Sequence, residues 1–143
     1  SEEVKQNRLR TVKIVQENRL GFITSFVPDL FSPVNKARLA ETIATMQEES
    51  RKTTTEGVTA ALLGMRSRQS SVGLLTAVDF PVLFIAGKQD SRIPLDKTLA
   101  QMILPPHSES LILDNTGHMG FVEQPQKTLS ALIGFTKRCY LYT

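Results

Sequence analysis

Residues 80–90 read Phe80-Pro81-Val82-Leu83-Phe84-Ile85-Ala86-Gly87-Lys88-Gln89-Asp90. A proline, a short apolar run, a glycine and an acid describe a strand that stops abruptly in a polar loop. The apolar run is continuous rather than alternating, which predicts burial on both faces, as in a parallel sheet. A second run, Leu111-Ile112-Leu113, ends at Asp114-Asn115. Between the two, Leu95 to Leu104 fits a short helix stopped by Pro105-Pro106. Beyond them Pro125 stands at the favoured first position of a last helix, with Leu129, Leu132 and Ile133 expected to face inward. Strand, helix, strand, helix is an α/β arrangement with two parallel strands and flanking helices. Two strands are few for a doubly buried sheet, so this part is expected to belong to a larger one.

Upstream, residues 1–78 read as helices. Ser1, followed by Glu2 and Glu3, suits a helix start, because a hydroxyl caps free N–H groups and early acids complement the dipole. Leu9, Val12 and Val15 recur along a polar background, and Gly21 is expected to end or bend this helix. Phe22, Ile23, Phe26, Val27, Leu30 and Phe31 make an apolar patch broken by Pro28 and Pro33. Asn35 is expected to cap a second helix carrying Leu39, Ile43 and Met46. Thr53 and Glu56 form a candidate capping box for a third, with Val58, Ala61, Leu62 and Met65 on one face. Val72 and Leu75 suit a short helix closed off by Pro81. The division is therefore 1–78, a helical region, and 79–143, an α/β part.

Composition narrows the function classes. At 41% hydrophobic residues the chain has enough apolar material to offset ordering entropy, which excludes wholesale disorder. No apolar run approaches the roughly 18 residues of a membrane span, and no membrane partner is expected. One cysteine, Cys139, rules out an internal disulfide framework and a Cys-based metal cluster, and two histidines leave little for a zinc site, so no metal is expected; no cofactor is expected either. The net charge is +3, and residues 1–78 carry 11 basic residues against 8 acidic ones that alternate with them, a solvated helical face rather than a nucleic-acid stripe. Ser1-Glu2-Glu3 opens no signal-like segment, and a cytoplasmic location is expected. The first residue is not methionine, so a further segment upstream is also expected.

In open α/β sheets the working residues stand in loops just past the carboxyl ends of strands. Past the first strand comes Asp90, and past the second comes Asn115-Thr116-Gly117-His118. Taken singly, Asp90 reads as a turn cap and His118 as a loop histidine. Taken together, a carboxylate there can accept the imidazole Nδ1 hydrogen while Nε2 takes a proton from a nucleophile. That predicts an Asp90 carboxylate oxygen within about 3.2 Å of His118 Nδ1. Ser91 and Arg92 read as turn residues of the acid loop, and His107 as a surface residue.

The stretch Phe80 to Pro94 resembles the strand and acid loop of the α/β-hydrolase family. Asn115-Thr116-Gly117-His118-Met119-Gly120-Phe121-Val122-Glu123-Gln124-Pro125 resembles its histidine loop, in which Gly-His is followed by a short spacer and Glu-x-Pro. The resemblance covers roughly residues 80–137, and residues 1–78 resemble the family's helical lid in general character. It implies a partial α/β-hydrolase fold, a lid followed by the C-terminal part, with Asp90 the triad acid and His118 the triad base. The family's Gly-x-Ser-x-Gly elbow is absent from this sequence. The resemblance therefore implies the C-terminal part of a serine-type enzyme acting on an ester, amide or similar bond of a small apolar substrate. Its nucleophile and oxyanion donors would lie outside these residues, and the chain alone would be inactive.

Phe26, Met65, Met119 and Phe121 are candidate pocket residues; for the first two helical spacing favours core packing, and for the last two core or lid packing is an equal reading. Two other readings stand beside the enzyme. One is a non-catalytic half-hydrolase that binds or assembles. The other is a small helical regulatory domain with a fortuitous Asp-His pair. The unpaired edge of Val82–Ala86 predicts self-association, a homodimer or larger assembly with that strand or the apolar 22–31 patch in the contact.

Overall fold

The computed structural model describes residues 2–141, so the Ser1 cap lies outside the described residues. The chain forms two compact units, one of residues 1–28 with 40–70 and the other of residues 29–39 with 71–143. This division by packing differs from the sequence division at 78/79 over residues 29–39 and 71–78.

The first unit is built from α1 (Glu2–Phe26), α2 (Ala40–Arg51) and α3 (Thr55–Ser67). Val12 and Val15 of α1 and Leu62 of α3 form its buried cluster, with Phe22 and Val58 against it. The bend in α1 falls at Asn18 (φ −150°, ψ 75°), not at Gly21 as expected. Asn18 Oδ1 accepts the Gly21 N–H at 2.8 Å, so the asparagine restarts the helix as an internal cap. The third helix also starts one residue later than its capping-box reading. Thr54 is the cap, accepting the Gly57 N–H at 3.1 Å. Three threonines in a row could each serve. The Arg19 guanidinium takes the Arg51 and Thr53 carbonyls, both at 2.8 Å, which leaves Thr54 to begin α3.

The second unit holds α4 (Val72–Leu75), β1 (Val82–Gly87), α5 (Leu95–Met102), β2 (Ser108–Leu113), α6 (Gly120–Glu123) and α7 (Pro125–Leu141). The two strands pair in parallel, with Val82 opposite Ser108 and Gly87 opposite Leu113. Both strands therefore end side by side, and the loops that follow leave from one edge of the sheet.

Three expectations are corrected here. β1 is half-buried along Val82–Ala86 and fully buried only at Gly87, because one strand alone flanks it among the described residues. Leu129 and Ile133 of α7 do not face inward, at 58% and 47% exposed, and Leu132, 45% exposed, borders an open cavity rather than a closed core. Thr128 is the buried residue of that helix, its hydroxyl donating to the Gly120 carbonyl at 3.2 Å. Asn35 does not cap α2, which begins at Ala40. It lies in the 3-10 turn Pro33–Asn35, and its side-chain amide donates to the Asn115 carbonyl at 2.7 Å and to Glu123 Oε2 at 2.8 Å. Two distant acceptors consume the donor, and the asparagine becomes a tether.

Candidate active site

The strand ends bring the two loops together because glycine lets them. A Cβ on Gly87 would stand 2.2 Å from the Gly117 carbonyl oxygen and 2.4 Å from that of Thr116. Only a residue without a side chain lets the second loop cross so closely over the end of β1. Hydrogen bonding continues past the strands, with Lys88 N–H donating to the Leu113 carbonyl at 3.0 Å and Gln89 N–H to that of Thr116 at 2.8 Å. Asn115 turns the second loop in the left-handed region (φ 51°), which asparagine tolerates better than most residues.

Asp90 and His118 meet as expected, with His118 Nδ1 2.8 Å from Asp90 Oδ2. The other carboxylate oxygen, Oδ1, accepts the backbone N–H of Arg92 at 2.7 Å and of Ile93 at 3.0 Å. Burial pushes the Asp90 carboxyl up. The bonds from His118, Ile93 and Arg92 and the imidazole's charge outweigh it, and the net position lies below the ordinary carboxylate range. An ionised carboxylate only accepts, so Nδ1 carries the hydrogen, and in the neutral form of the ring Nε2 is the nitrogen that keeps a lone pair able to take a proton. Asp90 is largely covered, at 11% side-chain exposure, while His118 at 38% is reachable.

Because folding lowers the Asp90 pKa, its stabilising contribution is complete above the unfolded value of about 4 and is lost as pH falls through the lower folded value. Urea unfolding of wild type and Asp90→Asn from neutral to acid pH checks this. The stability gap is expected to close in acid, and a gap independent of pH would contradict the pairing.

The support beneath this pair was not legible as such in the sequence. Glu123 is 2% exposed and works as a three-way acceptor. Its Oε1 takes the Gly117 N–H at 2.8 Å, next to His118, while Oε2 takes the Ser32 N–H at 2.9 Å and the Asn35 amide at 2.8 Å. Ser32, itself fully buried, donates its hydroxyl to Gln89 Oε1. The only sequence signal was Glu123's place in the Glu-x-Pro element of the histidine loop.

A cavity of about 400 Å³ opens beside Asp90 and His118, with Ile85, Ile93, Leu113 and Phe121 among its lining residues. Of the four candidate pocket residues, Phe121 is among those that line it. Met119 precedes α6 and is not among the lining residues. Phe26 and Met65 belong to the first unit, where Phe26 stacks on Phe22 with ring centroids 5.0 Å apart. Among the described residues, no group of three His, Cys, Asp or Glu side chains is placed to hold a metal ion, and no helix is long and apolar enough to cross a membrane.

Paired parallel strands with an acid loop and a histidine loop at their carboxyl ends, joined to a set of helices, make this a partial α/β-hydrolase fold. The solved structures it resembles include a thermophilic esterase from Thermogutta terrifontis, with 28% identity and a TM-score of 0.87 over 97% of this chain and 52% of the esterase. An esterase from Exiguobacterium antarcticum matches at 16% identity and a TM-score of 0.80, over 93% of this chain and 48% of its own. An α/β-hydrolase enzyme from a Medee basin deep-sea metagenome library matches at 16% and 0.80, over 96% and 52%. The chain spans about half the length of these structures. No family model matches the sequence, and no curated protein matches it significantly.

Proposed function

We propose that this chain is the C-terminal part of a serine-type α/β-hydrolase that cleaves an ester, amide or similar bond of a small apolar substrate. The observation that carries the reading is the 2.8 Å bond between Asp90 Oδ2 and His118 Nδ1 in the lining of a largely apolar cavity. Asp90 holds the imidazole in one tautomer and stabilises the imidazolium. His118 Nε2 takes the proton of a serine supplied from outside these residues, then returns it to the leaving group. Residues 1–78 contribute the lid.

The test is a chimera in which this chain replaces the matching half of the Thermogutta terrifontis esterase. The chimera is expected to hydrolyse p-nitrophenyl acetate with saturation, and His118→Ala to lower kcat by at least about 10⁴-fold. The 143-residue chain alone is expected to do no better than free imidazole, for want of a nucleophile and oxyanion donors. Saturable turnover by the chain alone, lost in His118→Ala, would put a nucleophile within it.

A second reading, a non-catalytic assembly module, draws support from β1, whose outer edge pairs with no strand among the described residues. A folded but inactive chimera, together with a dimer of the chain joined edge to edge through Val82–Ala86, would favour it.

A further inference from the structure

We propose that residues 29–32 act as a strap that sets the distance between the acid and the base, with Asp29 as the positioning residue of the acid loop. This rests on the reading of Asp90 and His118 as a catalytic pair.

The strap touches both loops at consecutive residues. The Asp29 carboxylate pairs with the Arg92 guanidinium, and the Asp29 carbonyl accepts the Ser91 hydroxyl at 2.6 Å. Arg92 also supplies one of the two backbone N–H groups that hold Asp90 Oδ1. Pinning the side chains of both Ser91 and Arg92 therefore fixes the turn that orients the carboxylate. One residue further on, the Leu30 carbonyl accepts the backbone N–H of His118 itself at 2.7 Å.

Adjacent Cα atoms stand about 3.8 Å apart whatever else moves, so residues 29 and 30 act as a covalent ruler between the loops. At the far end Ser32 is held extended before Pro33 (φ −58°, ψ 136°) and locks into Glu123, which also holds Gly117. A Cβ on Gly117 would stand 2.7 Å from both the Leu30 carbonyl oxygen and the Ser32 nitrogen, so the strap lies directly on the histidine loop.

The Asp29–Arg92 pair is partly solvent-exposed, at 55% and 32%. Such pairs add little to global stability. Loss of the pair should therefore misplace the carboxylate without unfolding the protein. Misplacement of reacting groups by an ångström can cost as much as about a hundredfold in rate, and a smaller displacement proportionately less.

The experiment compares Asp29→Asn, the double variant Asp29→Asn with Ser91→Ala, and Asp29→Glu. Glu109→Gln is the control, since it breaks the Glu109–Arg138 pair elsewhere in the same unit. Two readouts are taken. One is the ring tautomer of His118, with its downfield Nδ1–H resonance, measured by NMR on the 143-residue chain. The other is kcat and KM in the esterase chimera. The double variant is expected to shift the ring toward the Nε2–H tautomer and lower kcat about tenfold with KM unchanged. Asp29→Glu restores both, and Glu109→Gln moves neither.

A folded double variant with an unchanged tautomer ratio and unchanged kcat overturns the proposal. If the double variant does not fold, Asp29→Asn decides by the same readouts. Should His118→Ala leave the chimera's kcat intact, the hydrolase reading fails instead, and the tautomer, which needs no hydrolysis, still tests the strap.

Discussion

Asp90→Asn is expected to lower kcat of the esterase chimera by about 10⁴-fold. Two backbone N–H groups, from Arg92 and Ile93, point at the Oδ1 position and demand an acceptor there. The amide oxygen of an asparagine must fill that position. Its NH2 then occupies the Oδ2 position, 2.8 Å from His118 Nδ1 in the wild type. Facing a donor, Nδ1 has to accept, and the ring proton moves to Nε2. The nitrogen that should take the nucleophile's proton is then blocked, and no carboxylate remains to stabilise the imidazolium. Single-turnover and steady-state kinetics on p-nitrophenyl acetate measure the loss. A decrease of less than about tenfold would mean that His118 does not work through Nε2.

The second large effect is on stability. Glu123→Ala is expected to cost about 3–5 kcal/mol, read from the urea unfolding midpoint of the 143-residue chain. The substitution orphans the Gly117 and Ser32 N–H groups, both in buried hydrogen bonds, and the Asn35 amide loses one acceptor. Each unsatisfied buried donor costs about 1–3 kcal/mol. Glu123→Gln separates charge from geometry. Whichever way its amide turns, the NH2 meets either the Gly117 N–H or the Ser32 N–H, so it should fall between wild type and alanine. Equal midpoints for all three proteins would show that the carboxylate is not the joint between strap and histidine loop.

What could be read from the sequence was what local chemistry encodes. An apolar run ending in glycine and an acid marks β1 and Asp90. A second run followed by Gly-His marks β2 and His118, and Pro125 marks the start of α7. Parallel pairing places both strand ends on one edge, and the 2.8 Å bond between Asp90 and His118 follows from that placement. Each of these features is carried within a dozen or so residues, where propensity and periodicity operate.

Neighbours far along the chain overrule local pattern elsewhere. Three threonines offered three caps for α3, and the Arg19 guanidinium on the Thr53 carbonyl left Thr54 as the one used. The spacing of Leu129, Leu132 and Ile133 describes an apolar face of α7 but says nothing of what covers it: Leu129 and Ile133 are exposed, and Leu132 lines the open cavity beside Asp90 and His118. Asn35 has the chemistry of a cap and serves instead as a tether to Glu123.

The strap is the clearest case. In the sequence, residues 29–32 are the end of an apolar patch between two prolines, with no periodicity to mark them. Their role comes from hydrogen bonds such as Ser32 to Glu123, which join residues 91 positions apart. A one-dimensional pattern records what a residue can donate or accept. Only the folded chain, by bringing a particular partner within 3 Å and excluding water from the joint, decides which of those bonds is made.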